Sequence, residues 1–307
     1  MVGTHFPLSI IVVSPVVIFS NSLKMLLLGA ILSFEQNRCF VIDESVSALP
    51  KRRDPANEFQ GTFLDRYVEP IGLSRGDQMV EAAGSLGNLN VVDWRESWSW
   101  THNRRIANQT DDIESLGFHG IEGHYLKRLM LKRMWRPLPP VRHATCSRLE
   151  NHVGPEEFMA FSIRRGDKGK ENFHFATTDQ YIEAATNALG THFGGAVPII
   201  FVATDDCSIM TEFRSKRPSW HFVSECDAKH ETGFQLEAMA EWTHAETDAH
   251  FSKFFVELYA MASAKYFIGV MYTNVTWWAL FMRSQDLSTF EILKTPGTEG
   301  REGIMFW

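Results

Sequence analysis

The sequence of 307 residues has little of several features that mark special classes of protein. Its four cysteines are too few for a disulfide scaffold, and their spacing matches no zinc site. Acidic residues outnumber basic ones by 37 to 30, so the net charge of −7 argues against a nucleic-acid partner. No repeat or low-complexity segment is present. The remaining composition, 44% hydrophobic and 22% charged, is typical of a globular protein with one or two domains.

The apolar N-terminus has two interpretations. Phe6–Phe19 is almost wholly apolar but interrupted by prolines, and it is shorter than the roughly 18–20 residues that span a bilayer. As a signal-anchor, residues 6–34 would attach the protein to a membrane, although no basic stretch precedes them. As part of a fold, they form a strand over Ile10–Phe19 and a helix over Ser22–Gln36. The polar turn and apolar strand that follow, within Glu35–Glu44, favour the fold.

The second half of the chain alternates short apolar runs with helical periodicity, which predicts an α/β domain with a parallel sheet. We expect Thr178 to cap the first of its helices and Gly190 to end that helix. The proline-rich Trp135–Val141 is the best linker, so we expect domains over residues 1–150 and 151–307. The predicted strands are Phe158–Ile163, Pro198–Ala203, His221–Val223 and Tyr266–Val270. The predicted helices are Asp179–Leu189, Ser208–Arg214, Asp248–Ala264 and Val275–Arg283.

The most informative stretch is Phe158–Glu171, where a buried strand ends abruptly in charged residues. Arg164 and Arg165 stand where the strand stops, and Gly166 allows the turn that follows. Ligands of open parallel sheets bind beyond the carboxyl ends of the strands, and guanidinium groups suit a phosphate or pyrophosphate there. Glu171 adds a carboxylate that can accept a proton. The stretch therefore predicts a site where a phosphorylated leaving group and a base share one loop.

The same residues resemble the donor-site motif of the α1,6-fucosyltransferases and their GDP-fucose-dependent relatives, the O-fucosyltransferase-like proteins. That motif has an apolar strand, Arg-Arg, Thr or Gly, and Asp-Lys, then a Glu and Phe-His. Here it reads Ile163-Arg-Arg-Gly-Asp-Lys168, Glu171 and Phe173-His174. Phe201–Asp206 is similar to the family's strand ending in Thr-Asp-Asp, and Phe255–Asn274 to its acidic helix, strand and hydroxyl loop. Three elements in order are more specific than any one alone.

The resemblance implies an α/β fold of two Rossmann-like domains facing a cleft, the GT-B-like arrangement. The first domain would bind the acceptor and the second the nucleotide sugar. It implies metal-independent, inverting transfer of fucose from GDP-fucose to a glycan or protein hydroxyl, with no cofactor besides this donor. The partners would be the donor and a glycan or glycoprotein acceptor. Such an enzyme is expected in the secretory pathway, in the Golgi, whereas the location stays open if residues 6–34 belong to the core and not to an anchor.

The resemblance also assigns roles to residues. Arg164 matches the arginine that binds the β-phosphate, and Glu171 is the candidate general base, oriented by Lys168. Arg165 is expected on the opposite side of the strand, paired with Asp167 or another acid. Glu257 stands at the position of the family's guanine-binding Asp, and Ser162 replaces the family's His. Asp205 and Asp206 are candidates to bind the ribose or to stabilise the loop. Thr273 and Asn274 lie at a helix N-terminus, which favours phosphates.

Two alternative functions fit the same residues. One is a catalytically inactive relative that binds or scaffolds in the secretory pathway, since the loop before Glu171 is one residue shorter than in the α1,6 enzymes. The other is a glycosyltransferase for a different nucleotide sugar, because pyrophosphate contacts do not identify the sugar. The histidines form no tight metal-ligand pattern. Cys207 and Cys226 flank one αβ unit, and a disulfide between them would indicate an oxidising compartment.

Overall fold

The chain divides into two compact units, Met1–Leu138 with Phe306–Trp307, and Pro139–Met305. The division falls within the proline-rich segment taken as a linker, and position 150 of the expected boundary lies inside a helix of the second unit. The computed structural model describes residues 8–12, 39–43, 66–69, 90–93, 128–129, 131–133, 135–166, 174–226, 233, 242–270, 272–283 and 287–295.

The first unit contains a parallel sheet of three strands in the order β2-β1-β3. The strands are β1 (Leu8–Val12), β2 (Cys39–Asp43) and β3 (Asn90–Asp93). Ile10 in the central strand lies opposite Val41 and Val91, so β-branched residues line the register. The predicted strand at Ile10–Phe19 is confirmed over Ile10–Val12, and β1 starts two residues earlier because Leu8 and Ser9 also pair. Residues 13–19 and the predicted helix at Ser22–Gln36 lie outside the described residues.

The second unit is built on a parallel sheet of five strands in the order β6-β5-β4-β7-β8. Every residue of the central strand β4 is buried, which explains its uninterrupted Phe-Met-Ala-Phe-Ser-Ile sequence: helices cover both faces. The last strand, at the sheet edge, was not predicted. The strands are β4 (Phe158–Ile163), β5 (Ile199–Thr204), β6 (Phe222–Val223), β7 (Tyr266–Val270) and β8 (Phe290–Leu293).

Helices cover the two faces of this sheet in separate layers. They are α1 (Pro139–Val153), α2 (Thr178–His192), α3 (Ser208–Lys216), α4 (His244–Ser263) and α5 (Asn274–Met282). Alternate β4 residues, Met159, Phe161 and Ile163, pack in one core with side chains of α2 and α3. On the other face α4 packs on β4 and β5 and carries α1 and α5 against it. Strand alternation therefore decides which helices each β4 side chain meets.

Three local signals needed correction. The cap of α2 is Thr177, whose hydroxyl accepts from the Gln180 amide at 3.3 Å, and Thr178 is already helical and buried. Gly190 does not end α2, which runs to His192; the glycines with positive φ that follow this helix are Gly194 and Gly195, at +61° and +84°. Helix α1 was missed because its two leading prolines indicated a linker, although proline also suits the first turn of a helix.

Helix α1 is held to the sheet by a polar cluster. Arg148 donates to the Ser252 hydroxyl of α4 at 2.6 Å and forms an ion pair with Glu225. His152 Nε2 lies 2.7 Å from the other Glu225 oxygen, and that carboxylate is only 3% exposed.

No helix in the part of the chain described here is long and apolar enough to cross a bilayer.

Candidate active site

The strand order creates one point on the five-stranded sheet where a ligand crevice is expected. From β4 the chain crosses through α2 to β5 on one side, whereas β7 pairs with β4 on the other side. The connections after β4 and β7 diverge, and ligands of open α/β sheets bind at such a switch point. The described residues that follow these strands are Arg164–Gly166 and Tyr272–Thr273.

Arg164 faces the α4 and α5 side of this switch point. Its side chain is 16% exposed, and Nη1 lies 3.1 Å from Oδ2 of Asp205. It contributes to a narrow cavity of about 50 Å³, which we call the Arg164 cavity. The polar residues lining this cavity are Ser162, Arg164, Thr204, Asp205, Glu257 and Thr273. The structure thus brings together five residues expected at a donor site, and Thr204 is an addition.

Asp205 organises the turn that carries both arginines. One carboxylate oxygen accepts from the Arg165 amide at 2.9 Å, and the other accepts from the Gly166 amide at 3.1 Å. The second oxygen also contacts the Arg164 guanidinium. The side chain is 8% exposed, so these charge-assisted contacts offset the desolvation of its charge. Of the two roles expected for Asp205, the geometry supports stabilisation of the loop.

Arg165 faces the opposite side, as strand alternation predicts. Among the described residues its acidic partners are Asp206 at 4.0 Å and Glu212 of α3 at 3.8 Å, and the pairing with Asp167 stays a prediction because Asp167 lies outside those residues. Asp206 also accepts from the amide and hydroxyl of Ser208 at 3.1 and 2.6 Å, which stabilises the start of α3.

A cavity of about 460 Å³ lies beside Arg165, and we call it the Arg165 cavity. It is walled by the arginine turn, by the N-terminus of α2 and by α3. Its lining includes Arg165, Gly166, Phe175, Thr178, Asp206 and Glu212. One turn therefore presents a guanidinium to each of two separate cavities.

Glu257 is a buried acid on the wall of the Arg164 cavity. Its Oε1 accepts from the Thr204 amide at 3.3 Å and lies 3.5 Å from Lys253 Nζ, one helical turn earlier. Burial raises the pKa of Glu257 to about 7, although the charge of Lys253 acts in the opposite direction. This carboxyl group therefore changes charge near neutral pH.

Lys253 was not singled out in the sequence. It is 7% exposed and donates to the Thr204 carbonyl at 2.9 Å, so it joins α4 to the end of β5 as well as to Glu257. The signal that could have found it is a lysine within the apolar stripe of α4, four residues before an acid.

Helix α5 begins at the switch point. The Thr273 hydroxyl accepts from the Val275 amide at 3.3 Å and caps the helix, whose first residue is Asn274. One turn on, the Thr276 hydroxyl donates to the Ser162 hydroxyl at 3.2 Å and links α5 to β4. The N-terminus of α5, with its partial positive charge, thus begins on the wall of the Arg164 cavity.

Two more features brace the arginine turn. Gly233 has a φ of +82°, and a Cβ there would come within 2.7 Å of the Gly166 Cα, so no side chain fits between these backbones. Cys207 directly follows Asp206 and forms a disulfide with Cys226, with 5.5 Å between the Cα atoms. The pairing that the sequence left open is therefore present. No pattern in the sequence pointed to Gly233.

Comparison with solved structures identifies the fold. NodZ fucosyltransferase from Bradyrhizobium matches with a TM-score of 0.54 at 14% identity, over 89% of this chain and 93% of that chain. A mutant of Arabidopsis thaliana FUT1 in complex with GDP matches with a TM-score of 0.54 at 9% identity, over 94% of this chain and 70% of that chain. POFUT1 in complex with GDP-fucose matches with a TM-score of 0.50 at 11% identity, over 95% of this chain and 99% of that chain. The fold is that of the GT-B-type fucosyltransferases. No protein-family model and no curated protein sequence matches this chain.

The fucosyltransferase fold was expected from the arginine motif and its two downstream elements, and the expectation of an α/β fold of this type is confirmed. Asp167, Lys168 and Glu171 lie outside the described residues, so their roles stay predictions. Within the described part of the chain, no group of three or more His, Cys, Asp or Glu side chains could hold a metal ion.

Proposed function

We propose that this protein transfers fucose from GDP-fucose to a hydroxyl group of a glycan or a protein, with inversion at the anomeric carbon. The observation that carries the proposal is the Arg164 guanidinium at the switch point of the sheet, beside Glu257 and the start of α5. Support also comes from the fold, which is shared with NodZ soaked with GDP-fucose and with FUT1 in complex with GDP.

Arg164 binds the β-phosphate of the donor in this proposal. Negative charge on that phosphate grows as the bond to the sugar breaks, so a fixed guanidinium stabilises the transition state more than the bound donor. Asp205 holds the guanidinium at 3.1 Å, which orients it before the donor arrives. The cost of ordering this long side chain is thus met during folding.

The N-terminus of α5 supplies the second positive contribution. Thr273 and Asn274 lie where the main-chain amides of the helix start, and such a terminus favours a phosphate group. Arg164 and these amides together compensate the charge of the leaving diphosphate. We therefore propose a reaction without a metal ion, in which addition of EDTA leaves the rate unchanged.

Glu257 receives the guanine base. An ionised carboxylate accepts hydrogen bonds from the two adjacent N–H donors of guanine, and the described contacts of Glu257 use Oε1, which leaves Oε2 for the base. Since the pKa of Glu257 is raised to about 7, GDP binds more weakly below that pH. Ser162 stands where related enzymes have a histidine, so one guanine contact of those enzymes is absent here.

The chemical step is a single displacement. The acceptor oxygen forms a bond to the anomeric carbon while the bond from that carbon to the β-phosphate oxygen breaks and GDP departs. Glu171 accepts the proton of the acceptor hydroxyl, and Lys168 orients the carboxylate.

We propose the secretory pathway, and specifically the Golgi, as the location. The Cys207–Cys226 disulfide supports an oxidising compartment. Part of the apolar N-terminal segment, Leu8–Val12, forms a strand of a parallel sheet, which supports a role in folding for those residues rather than in anchoring.

The decisive experiment is the affinity for GDP of the Arg164→Ala variant, measured by isothermal titration calorimetry. Loss of a charge-assisted contact to phosphate should cost about 2 kcal/mol, or roughly 30-fold in affinity. Arg214→Ala, the same substitution at an exposed residue of α3, is the matched control and should bind like the wild type.

Because Asp205 loses its partner in Arg164→Ala, thermal unfolding of both variants is measured first, and Arg164→Lys serves as a less disruptive change. An unaltered GDP affinity in a folded Arg164→Ala protein would rule out the phosphate contact. GDP binding without any transfer or hydrolysis of GDP-fucose would favour the inactive relative.

A further inference from the structure

A lysine and an acid of α4 bind both backbone polar groups of one residue at the end of β5. The Lys253 ammonium donates to the Thr204 carbonyl at 2.9 Å, and Glu257 Oε1 accepts from the Thr204 amide at 3.3 Å. The two side chains lie 3.5 Å apart, one helical turn from each other. Thr204 directly precedes Asp205, which holds the arginine turn. The pair therefore connects α4 to the backbone beside that turn.

The two members of the pair stand in different relations to the Arg164 cavity. Glu257 lines the cavity, whereas Lys253 is not among its described lining residues. Both side chains are largely buried, at 12% and 9% exposed. The described contacts of Glu257 use Oε1, so the ammonium fixes one carboxylate oxygen and leaves the other without a described partner. A ligand in the cavity would therefore meet the acid and not the lysine.

A carboxylate at this depth keeps its charge only when a cation compensates it. Burial raises the pKa of Glu257 to about 7, and the charge of Lys253 acts in the opposite direction. Asp205 and Glu225, two negative groups that follow neighbouring strands, raise this pKa further. The ionised form of Glu257 thus depends on the lysine.

Other charged or titratable groups lie around this part of α4. Among the described residues they are Arg164 after β4, Asp205 after β5, Glu225 after β6, and Arg148 and His152 of α1. The described carboxylate partners of the three basic groups are Asp205 and Glu225, and α5 presents the uncharged Thr273 to the cavity. Lys253 is therefore the described cation in ion-pair contact with Glu257.

We infer that Lys253 is a positioning residue for base recognition, which holds the Glu257 carboxylate in place and keeps it ionised. The inference rests on the proposed function, in which that carboxylate accepts from the two adjacent N–H donors of guanine. A protonated carboxyl group offers a donor in place of one acceptor, so it no longer matches this edge of the base. Loss of the lysine charge weakens GDP binding by protonating Glu257, although every atom that touches the ligand remains.

Lys253→Met tests this role, because methionine is close to lysine in length and shape but has no charge. GDP affinity is measured by isothermal titration calorimetry from about pH 5.5 to about pH 8.5, and the variant is compared with the wild type at each pH. The titration of the diphosphate itself cancels in that ratio. We expect the pH midpoint of binding to rise by about one pH unit. GDP should then bind about fivefold more weakly at pH 7 and within about twofold of the wild type at pH 8.5.

A merely structural role predicts a different result, because Lys253 also donates to the Thr204 carbonyl. Loss of that hydrogen bond alone would weaken GDP binding by the same factor at every pH. The double variant of Lys253→Met with Glu257→Gln separates the two roles, since glutamine has the shape of the acid but no charge to lose. In the Glu257→Gln background we expect Lys253→Met to change GDP affinity by less than about twofold at any pH.

Thermal unfolding of each variant is measured first. Lys253→Gln is a second variant that removes the charge but keeps an N–H donor for the Thr204 carbonyl, and Lys253→Arg keeps the charge and should restore the wild-type midpoint. Lys265→Met is the matched control. It removes a lysine that pairs with Glu157, and these two residues directly precede β7 and β4 at the opposite edge of the sheet. Its pH profile should follow that of the wild type.

A raised midpoint in Lys253→Met or Lys253→Gln supports the inference. GDP affinities of the folded variants that run parallel to the wild type at every pH would overturn it and leave the proposed function in place. An equal loss from Lys253→Met with and without Glu257→Gln would also overturn it, in favour of the structural role. A wild type that binds no GDP at any pH would overturn the proposed function, and this inference with it.

Discussion

The two sides of the arginine turn differ in how fully their charges are satisfied. On the Arg164 side the guanidinium is 3.1 Å from Asp205, and Lys253 lies 3.5 Å from Glu257 in a narrow cavity. On the Arg165 side the ion-pair distances among the described residues are 3.8 and 4.0 Å, around a cavity of about 460 Å³. Among the described residues, Arg164 therefore has a partner at hydrogen-bonding distance, whereas the partners of Arg165 lie at the outer limit of an ion pair.

The largest effect is expected for Asp205→Ala, which removes the support of both sides at once. The amides of Arg165 and Gly166 lose their acceptor and the guanidinium of Arg164 loses its ion pair. Breaking such a buried pair should lower the free energy of unfolding by about 3–5 kcal/mol, measured by urea denaturation. Asp179→Ala is the control, because its ion pair with Lys216 is exposed and should contribute far less. Equal losses in the two variants would contradict the central role of Asp205.

The next largest effect is expected when the disulfide is removed by Cys207→Ser together with Cys226→Ser. A cross-link over 19 residues should contribute about 3 kcal/mol to the free energy of unfolding. Because Cys207 lies two residues after Asp205, which holds the Arg164 guanidinium, GDP affinity should also fall, whereas Cys146→Ser, at the exposed free thiol, should change neither quantity. A stability loss with unchanged GDP affinity would show that the turn keeps its geometry without this brace.

The smallest effect, and the most specific to the Arg164 side, is the pH dependence due to Glu257. Its pKa of about 7 in the folded protein exceeds the value of 4.5 for an unperturbed group, so the folded state binds the proton more tightly. Stability should therefore fall as pH rises from about 4.5 to 7 and level off above that. Between about pH 5 and pH 8 the fall due to this group is on the order of 2–3 kcal/mol.

Glu257→Gln should remove that part of the slope in urea-denaturation curves recorded across this pH range. Glu150→Gln, at an exposed residue of α1, is the control and should keep the wild-type slope. Parallel curves for the wild type and Glu257→Gln would contradict the burial effect on this carboxyl group.

The sequence predicted the central part of this fold because its signals there are local. Strand β4 and strand β7 read as short, wholly apolar runs, and their observed bounds are those predicted. Arg164 and Arg165 were assigned to opposite sides from strand alternation alone, and the structure confirms this. Glu257 and Thr273 are far apart in the chain. They were predicted to share a site with Arg164 because of the resemblance to fucosyltransferases and not because of any local pattern.

What the sequence did not predict depends on contacts between distant segments. The described acids that face Arg165 are Asp206 and Glu212, which follow it by some 40 residues in the chain. No residue near Arg165 in the sequence indicates this pairing. The close approach of Gly233 to Gly166 is invisible without coordinates, since many glycines carry no such constraint. Helix α1 was missed because prolines have opposite meanings at a linker and at a helix start.

Side chains along β4 alternate between the two faces of the sheet, so the side that each arginine faces depends on whether the number of residues in the strand is odd or even. Inserting or deleting one residue between Phe158 and Ile163 would exchange the cavities that the two arginines face, while the net charge of the turn stayed the same. A change of two residues would restore each guanidinium to its own side. In any protein that shares this turn, an odd change in strand length should therefore separate the first arginine from its aspartate partner even though the motif residues themselves are unchanged.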